Sequence, residues 1–186
     1  MRSQVIEAVI NQCFGKTLKA YGCSVSRVDR NVVTYVCGLA FIEFAYDASK
    51  SGEFTVLFRG HDDKEPAYEI WELVSLINET EYKPVLRQVS SIDELASCLE
   101  GLGGQLELCL RSIISNDNLF AELRKFRSIQ VSRSSYKRQV NLAMREADDA
   151  WRAGEYRVYL QATAPFLDSL PESYIQKYKY AMKKLG

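Results

Sequence analysis

Apolar residues recur at helical spacing from the start of the chain: Ile6, Ile10, Cys13, Phe14, Leu18 and Tyr21, with Lys16 and Lys19 on the other side. That period predicts an amphipathic opening helix, and Gly22 is placed to end it. The period then changes. Val32 to Cys37, Ala40 to Asp47 and Glu53 to Arg59 are rich in β-branched and aromatic residues and are separated by turn-formers at Gly38 and at Ser49 to Gly52. In the second run Ile42, Phe44 and Tyr46 alternate with Glu43 and Ala45. In the third, Phe54, Val56 and Phe58 alternate with Thr55 and Arg59. A period of two puts each apolar set on one face, which the apolar stripe of the first helix can cover. The expectation is an α+β fold in which an N-terminal helix packs on a small antiparallel meander.

Helical spacing returns after the charged loop from His61 to Pro66. Ile70, Leu73, Val74 and Ile77 place a helix within Tyr68 to Ile77, although its first residues are ambiguous. Ser91 followed three residues later by Glu94 has the form of a capping box, and Ile92, Leu95, Leu99 and Leu102 continue from it. Gly103-Gly104 is expected to break or kink this stripe before Leu106, Leu110 and Ile113 resume it. Asn116 to Asn118 then punctuates before a short segment with Phe120, Leu123 and Phe126. The serine-rich stretch Ser128 to Ser135 is the best linker candidate, with Ile129 and Val131 offering a short strand as the alternative. Beyond it, Tyr136 to Ala153, Glu155 to Leu167 and Glu172 to Leu185 all carry helical patterns, punctuated by Gly154 and Pro171. The organisation expected is an α+β domain over 1–127 and a helical hairpin plus one helix over 128–186.

A chain of 186 residues with 47% hydrophobic and 26% charged residues can bury a core without metal or disulfide support. Its five cysteines, Cys13, Cys23, Cys37, Cys98 and Cys109, are odd in number and scattered, so they read as reduced core thiols. The N-terminus has no secretory pattern, and the longest uncharged run, Asn31 to Ile42, is too short to span a bilayer. These features make the cytoplasm the expected compartment.

Net charge is zero but unevenly spread. From Asp62 to Glu81 there are seven acids and one base, and from Arg124 to Arg145 seven bases and no acid. The acidic stretch encloses aromatics, and Asp62, Asp63, Glu65, Tyr68, Glu69, Trp71 and Glu72 together have the composition of a surface that docks a basic protein. The basic stretch has the composition of a nucleic-acid surface, with Arg133, Lys137, Arg138 and Arg145 as its candidate contacts. A sequence pI near 6.6 and the neighbouring Glu146, Asp148 and Asp149 weigh against strong phosphate binding.

Catalytic patterns are sparse. His61 is the only histidine, so any histidine-dependent step would pass through it, within a loop that also reads as an ordinary solvated turn. Gly101-Leu102-Gly103-Gly104 has neither a preceding strand nor a following Gly-Lys-Ser/Thr to make a phosphate loop. The best enzymatic alternative is a metal-dependent nuclease, with Asp62 or Asp63 and Glu81 holding Mg²⁺ and Lys83 stabilising developing charge. No catalytic, cofactor or metal site is assigned, and no cofactor is expected.

The opening helix running into Tyr21-Gly22, then Val32-Val33-Thr34-Tyr35, then Phe41-Ile42-Glu43-Phe44-Ala45-Tyr46-Asp47 resembles a loose group of small bacterial proteins. The group includes immunity proteins encoded beside polymorphic or contact-dependent toxins. The resemblance covers residues 5–80 and implies a protein without catalytic residues that binds and blocks a cognate toxin domain. Ala147, Ala150, Trp151 and Gly154-Glu155-Tyr156 resemble the turn of a tetratricopeptide-like hairpin. Such a hairpin would pack on the domain or pair with a second copy of the chain as a homodimer. Another protein is therefore the expected partner, nucleic acid the alternative, and a membrane is not expected.

Overall fold

The computed structural model describes residues 3–47, 52–61, 66–80 and 87–186. Its contacts divide the chain into two compact units, Met1–Arg127 and Ser128–Gly186. The first has the α+β architecture that the alternating periods imply. Helix α1 (Ser3–Ala20) is followed by strands β1 (Ser24–Val28), β2 (Val32–Cys37), β3 (Ala40–Asp47), β4 (Glu53–Gly60) and β5 (Tyr68–Glu69), then by helices α2 (Ile70–Ile77), α3 (Ile92–Glu100) and α4 (Gly103–Ser115) and the start of α5 (Leu119–Ala153). The strands form one antiparallel sheet in chain order, β1-β2-β3-β4-β5. Three of the five strands match the sequence expectation. The short edge strands β1 and β5 lack its long apolar alternation, and a bulge between Val25 and Arg27 interrupts β1.

Ile6, Val9, Ile10, Phe14 and Leu18 line one side of α1 and are buried with Val33, Tyr35, Ile42, Phe44, Val56 and Phe58 from one face of the sheet. Leu95, Leu99, Leu102, Leu106, Leu110, Leu119 and Leu123 complete this core from α3, α4 and the start of α5. Ser91 caps α3 by accepting a hydrogen bond from the Glu94 N–H at 3.1 Å, while the Glu94 carboxylate accepts one from the Ser90 N–H at 2.7 Å. The helical stripe breaks at Gly101-Leu102, and Gly103 already opens α4 rather than serving as the break itself. At the start of β4, Gly52 has φ 72°, and a Cβ there would lie 2.6 Å from the Val89 carbonyl oxygen. That oxygen is close because the Val89 N–H donates to the Gly52 carbonyl at 2.7 Å and the Phe54 N–H donates to the Arg87 carbonyl at 2.8 Å. The returning chain thus pairs with β4 where only glycine fits.

Two expectations from sequence fail here. Cys23 and Cys37 are joined by a disulfide across β1 and β2, so these two are not reduced thiols; Cys13, Cys98 and Cys109 are free. Spacing alone could not show this, because the pair is created by strand register: Ser24 faces Val36, and the cysteines occupy the next position out. Residues Ser128 to Ser135 form neither a linker nor a strand but lie within α5, which is continuous over 35 residues and also absorbs the segment with Phe120, Leu123 and Phe126. Serine in a helix costs only a few tenths of a kcal/mol (~0.5), and no Gly or Pro interrupts this stretch.

The second unit consists of the remainder of α5, helix α6 (Tyr156–Thr163), a 3₁₀ turn at Ala164–Ser169 and helix α7 (Glu172–Leu185). Pro165 falls in the span expected to be a single helix from Glu155 to Leu167, which divides there into α6 and the tighter turn. Gly154, with φ 73°, ends α5, and a Cβ at this position would meet nothing within 4 Å. Small residues Ala147, Ala150 and Ala181 are buried with Tyr159 and Tyr174. The Tyr159 hydroxyl donates to the Tyr174 carbonyl at 2.9 Å, and the Tyr174 hydroxyl donates to Asp148 Oδ2 at 2.6 Å.

Three phenols share one pH-dependent behaviour. Burial, then the nearby Glu7, pushes Tyr35 up to about 12; burial, then Asp148, does the same to Tyr159; burial and the hydrogen bond to Asp148 do so to Tyr174. In each folded unit the neutral, donating form is favoured, so these groups contribute full stability below the ordinary tyrosine value of 10.0 and lose it as pH rises toward about 12. Alkaline unfolding followed by circular dichroism should therefore coincide with phenolate absorbance. Tyr174→Phe is expected to remove part of the pH dependence of the Ser128–Gly186 unit while leaving that of Met1–Arg127 unchanged.

Candidate functional site

The period-two pattern that builds the core also builds a second surface. Opposite the buried face, Val32, Thr34 and Val36 of β2, Phe41, Glu43 and Ala45 of β3, and Thr55, Leu57 and Arg59 of β4 are each part-exposed. Register sets them in three rows: Val36–Phe41–Arg59, Thr34–Glu43–Leu57 and Val32–Ala45–Thr55. Arg59 Nη2 donates to Glu43 Oε2 at 3.4 Å, making an ion pair amid apolar neighbours. His61 borders the same face: its ring lies 4.7 Å from that of Phe41, and Nε2 is 3.0 Å from the Gly38 carbonyl oxygen. The carbonyl can only accept, so Nε2 carries the proton and Nδ1 does not in the neutral ring. His61 is thus engaged at a hairpin margin.

Among the described residues of the acidic stretch, Tyr68 and Glu72 are buried and not open to a partner, while Glu69 and Trp71 are part-exposed. Tyr68 belongs to β5 and is fully buried, its ring 6.1 Å from Phe120 and 4.1 Å from the Arg127 guanidinium carbon. Burial pushes its phenol up, Arg127 opposes the shift, and Glu72 adds to it. Glu72 is also buried, and it accepts two hydrogen bonds from Arg127, at 2.7 Å from Nε and 2.5 Å from Nη2. Arg127 Nη2 further donates to the Ala67 carbonyl at 2.7 Å. Glu69 and Glu72 form the capping box of α2, with the Glu69 N–H donating to Glu72 Oε2 at 2.9 Å. Trp71 is half-buried against the core, with Arg87 5.3 Å from its ring centroid. These residues therefore start α2 and fasten it to the first turns of α5. Asp62, Asp63 and Glu65, like Glu81 and Lys83 of the nuclease alternative, lie outside the described residues.

Arg133, Lys137, Arg138 and Arg145 are all exposed on α5, within the second unit. At roughly 100° per residue, Arg133 with Lys137 and Arg138 with Arg145 form two pairs, their directions separated by about a quarter of a turn or slightly more. They make a broad basic surface rather than one narrow stripe.

A cleft of about 440 Å³ opens between the ends of α2 and α4 and the start of α5, lined by Leu76, Ile77, Glu79, Ser112, Asn116 and Glu122 among others. Asn116 Nδ2 donates to Glu122 Oε2 at 3.1 Å inside it. Glu79 takes the left-handed conformation, φ 52°, as the residue that closes α2. Among the described residues no group of three or more His, Cys, Asp or Glu side chains is placed to hold a metal ion, and no helix is long and apolar enough to cross a membrane.

No family model, curated protein or solved structure matches this chain.

Sequence reasoning found the alternation in β3 and β4 but credited only its buried half with a role. The signal for the other half was present: Val32, Val36, Phe41 and Leu57 are large apolar residues at positions whose alternates already fill the core. A sheet face meant only for water has less reason to carry them.

Proposed function

We propose that this protein is a non-catalytic protein-binding module that receives its partner on the part-exposed sheet face. The observation that supports the reading is the patch itself, in which Val36, Phe41, Leu57, Val32 and Ala45 surround the Glu43–Arg59 pair. An apolar centre with a few oriented charges is the composition of a specific interface, where buried aromatic and arginine side chains carry much of the binding energy. The resemblance of residues 5–80 to toxin-immunity proteins supplies the partner class: a cognate bacterial toxin domain, blocked by occupation of its surface.

The test is co-purification from the source organism with wild type, Phe41→Asp, Leu57→Asp and, as a control, Lys137→Glu. A stoichiometric protein partner should be recovered by wild type and by Lys137→Glu. Either sheet-face variant should weaken its binding by roughly thirtyfold or more, the loss typical of an anchor residue, with circular dichroism unchanged. Undiminished recovery by both sheet-face variants would remove this face from the proposal. Recovery of nucleic acid instead, lost on reversing Arg133 and Arg138, would favour the basic surface of α5.

A further inference from the structure

We infer that the Cys23–Cys37 disulfide is a redox clasp on the edge of the sheet: its reduction loosens β1 from β2 while the rest of the sheet stays in place. This inference is independent of the partner proposed for the sheet face. Every residue from Ser24 to Val28 is more than a third exposed, including Val25 at 42% and Val28 at 38%, so β1 places no side chain in the core, unlike β2, β3 and β4. Its backbone ladder with β2 is interrupted by the bulge between Val25 and Arg27. Short, bulged, unburied strands open at low free-energy cost. The covalent tie at one end of the strand supplements this interrupted ladder.

The chain on either side of β1 is anchored independently. The Gly22 and Cys23 N–H groups donate to the Lys19 and Leu18 carbonyls at 3.0 and 2.8 Å, which closes α1, and the Asp29 N–H donates to the Val32 carbonyl at 2.8 Å, which closes the hairpin. Opening the disulfide therefore releases a defined segment and not the whole unit. β2 stays in place because it is paired along its full length with β3 and buries Val33, Tyr35 and Cys37.

The chemistry balances with a dithiol as reductant. One of its thiolates attacks the Sγ of Cys23, the part-exposed partner, and displaces the sulfur of Cys37, which takes up a proton. The second thiol of the reductant then attacks the mixed disulfide and releases Cys23, so the dithiol becomes a disulfide and two electrons and two protons pass to the protein. Cys109 does not compete as a nucleophile, being fully buried in the core.

The experiment uses the full chain, oxidised and then treated with dithiothreitol, with free thiols counted by alkylation in denaturant and mass spectrometry, and amide hydrogen exchange measured on the folded protein in both states. Three alkylated cysteines are expected in the oxidised protein and five in the reduced one. On reduction, exchange of the β1 amides should accelerate by about tenfold or more, with those of β3 and β4 unchanged. Cys23→Ser combined with Cys37→Ser should reproduce the reduced pattern; should that variant fail to fold, the reduced wild type supplies the same reading. Equal β1 exchange in the two states would overturn the inference. So would five free thiols under oxidising conditions, or acceleration spread over the whole sheet.

Discussion

Arg127→Ala is expected to lower the stability of the Met1–Arg127 unit by about 3 kcal/mol or more, measured as a shift in the urea midpoint. The substitution leaves the Glu72 carboxylate, whose side chain is only 8% exposed, without the guanidinium that donates to both its oxygens. It also withdraws the donor from the Ala67 carbonyl and the cation from the face of Tyr68. Much of the cost lies in the carboxylate, which keeps the Glu69 N–H but loses its counter-charge, because a buried charge without a counter-ion costs more than the pair contributes when intact. Replacing Glu72 and Arg127 together by methionine should accordingly be less destabilising than Arg127→Ala alone. A double variant that is worse than the single one would show that the pair is itself a net source of stability.

Phe44→Ala should cost about 3–5 kcal/mol in the same unit. Phe44 is fully buried at the centre of an aromatic group, with ring centroids 6.2 Å from Phe14, 5.7 Å from Tyr35 and 6.5 Å from Phe54. Truncation removes apolar area and leaves a cavity bordered by rigid rings that cannot close on it. Phe41, three positions earlier in the same strand, points to the other face and is part-exposed. Phe41→Ala should cost much less, about 1 kcal/mol, while affecting binding. Urea denaturation of the two alanine variants therefore separates the face that holds the fold from the face proposed to meet a partner.

Strong periodicity made much of this fold legible. The apolar stripe of α1 and the alternation in β2, β3 and β4 each bury several residues, so the pattern is dictated by the core it serves. β1 places no residue in the core and so leaves no such pattern in the sequence. Ser128 to Ser135 misled because serine is common in linkers, whereas helical continuity depends on backbone conformation that serine readily adopts. The disulfide was hidden for a different reason: its cysteines are 14 residues apart and become neighbours only once β1 and β2 are in register. The acidic stretch was legible as a concentration of charge but not as an arrangement. Its Glu72 is bound to Arg127, 55 residues away in the chain, and no local window shows such a pairing.

Composition treats glycines as equivalent, yet the surroundings of Gly52 and Gly154 give them different histories to come. At position 154 nothing crowds the missing side chain, so asparagine, which tolerates the same backbone, remains an accessible replacement as the sequence drifts. At position 52 the Val89 carbonyl occupies the space of any Cβ, and moving it would break the pairing between β4 and the returning chain. Selection for a folded protein alone, with no reference to what it binds, should keep Gly52 fixed in the descendants of this sequence while releasing Gly154.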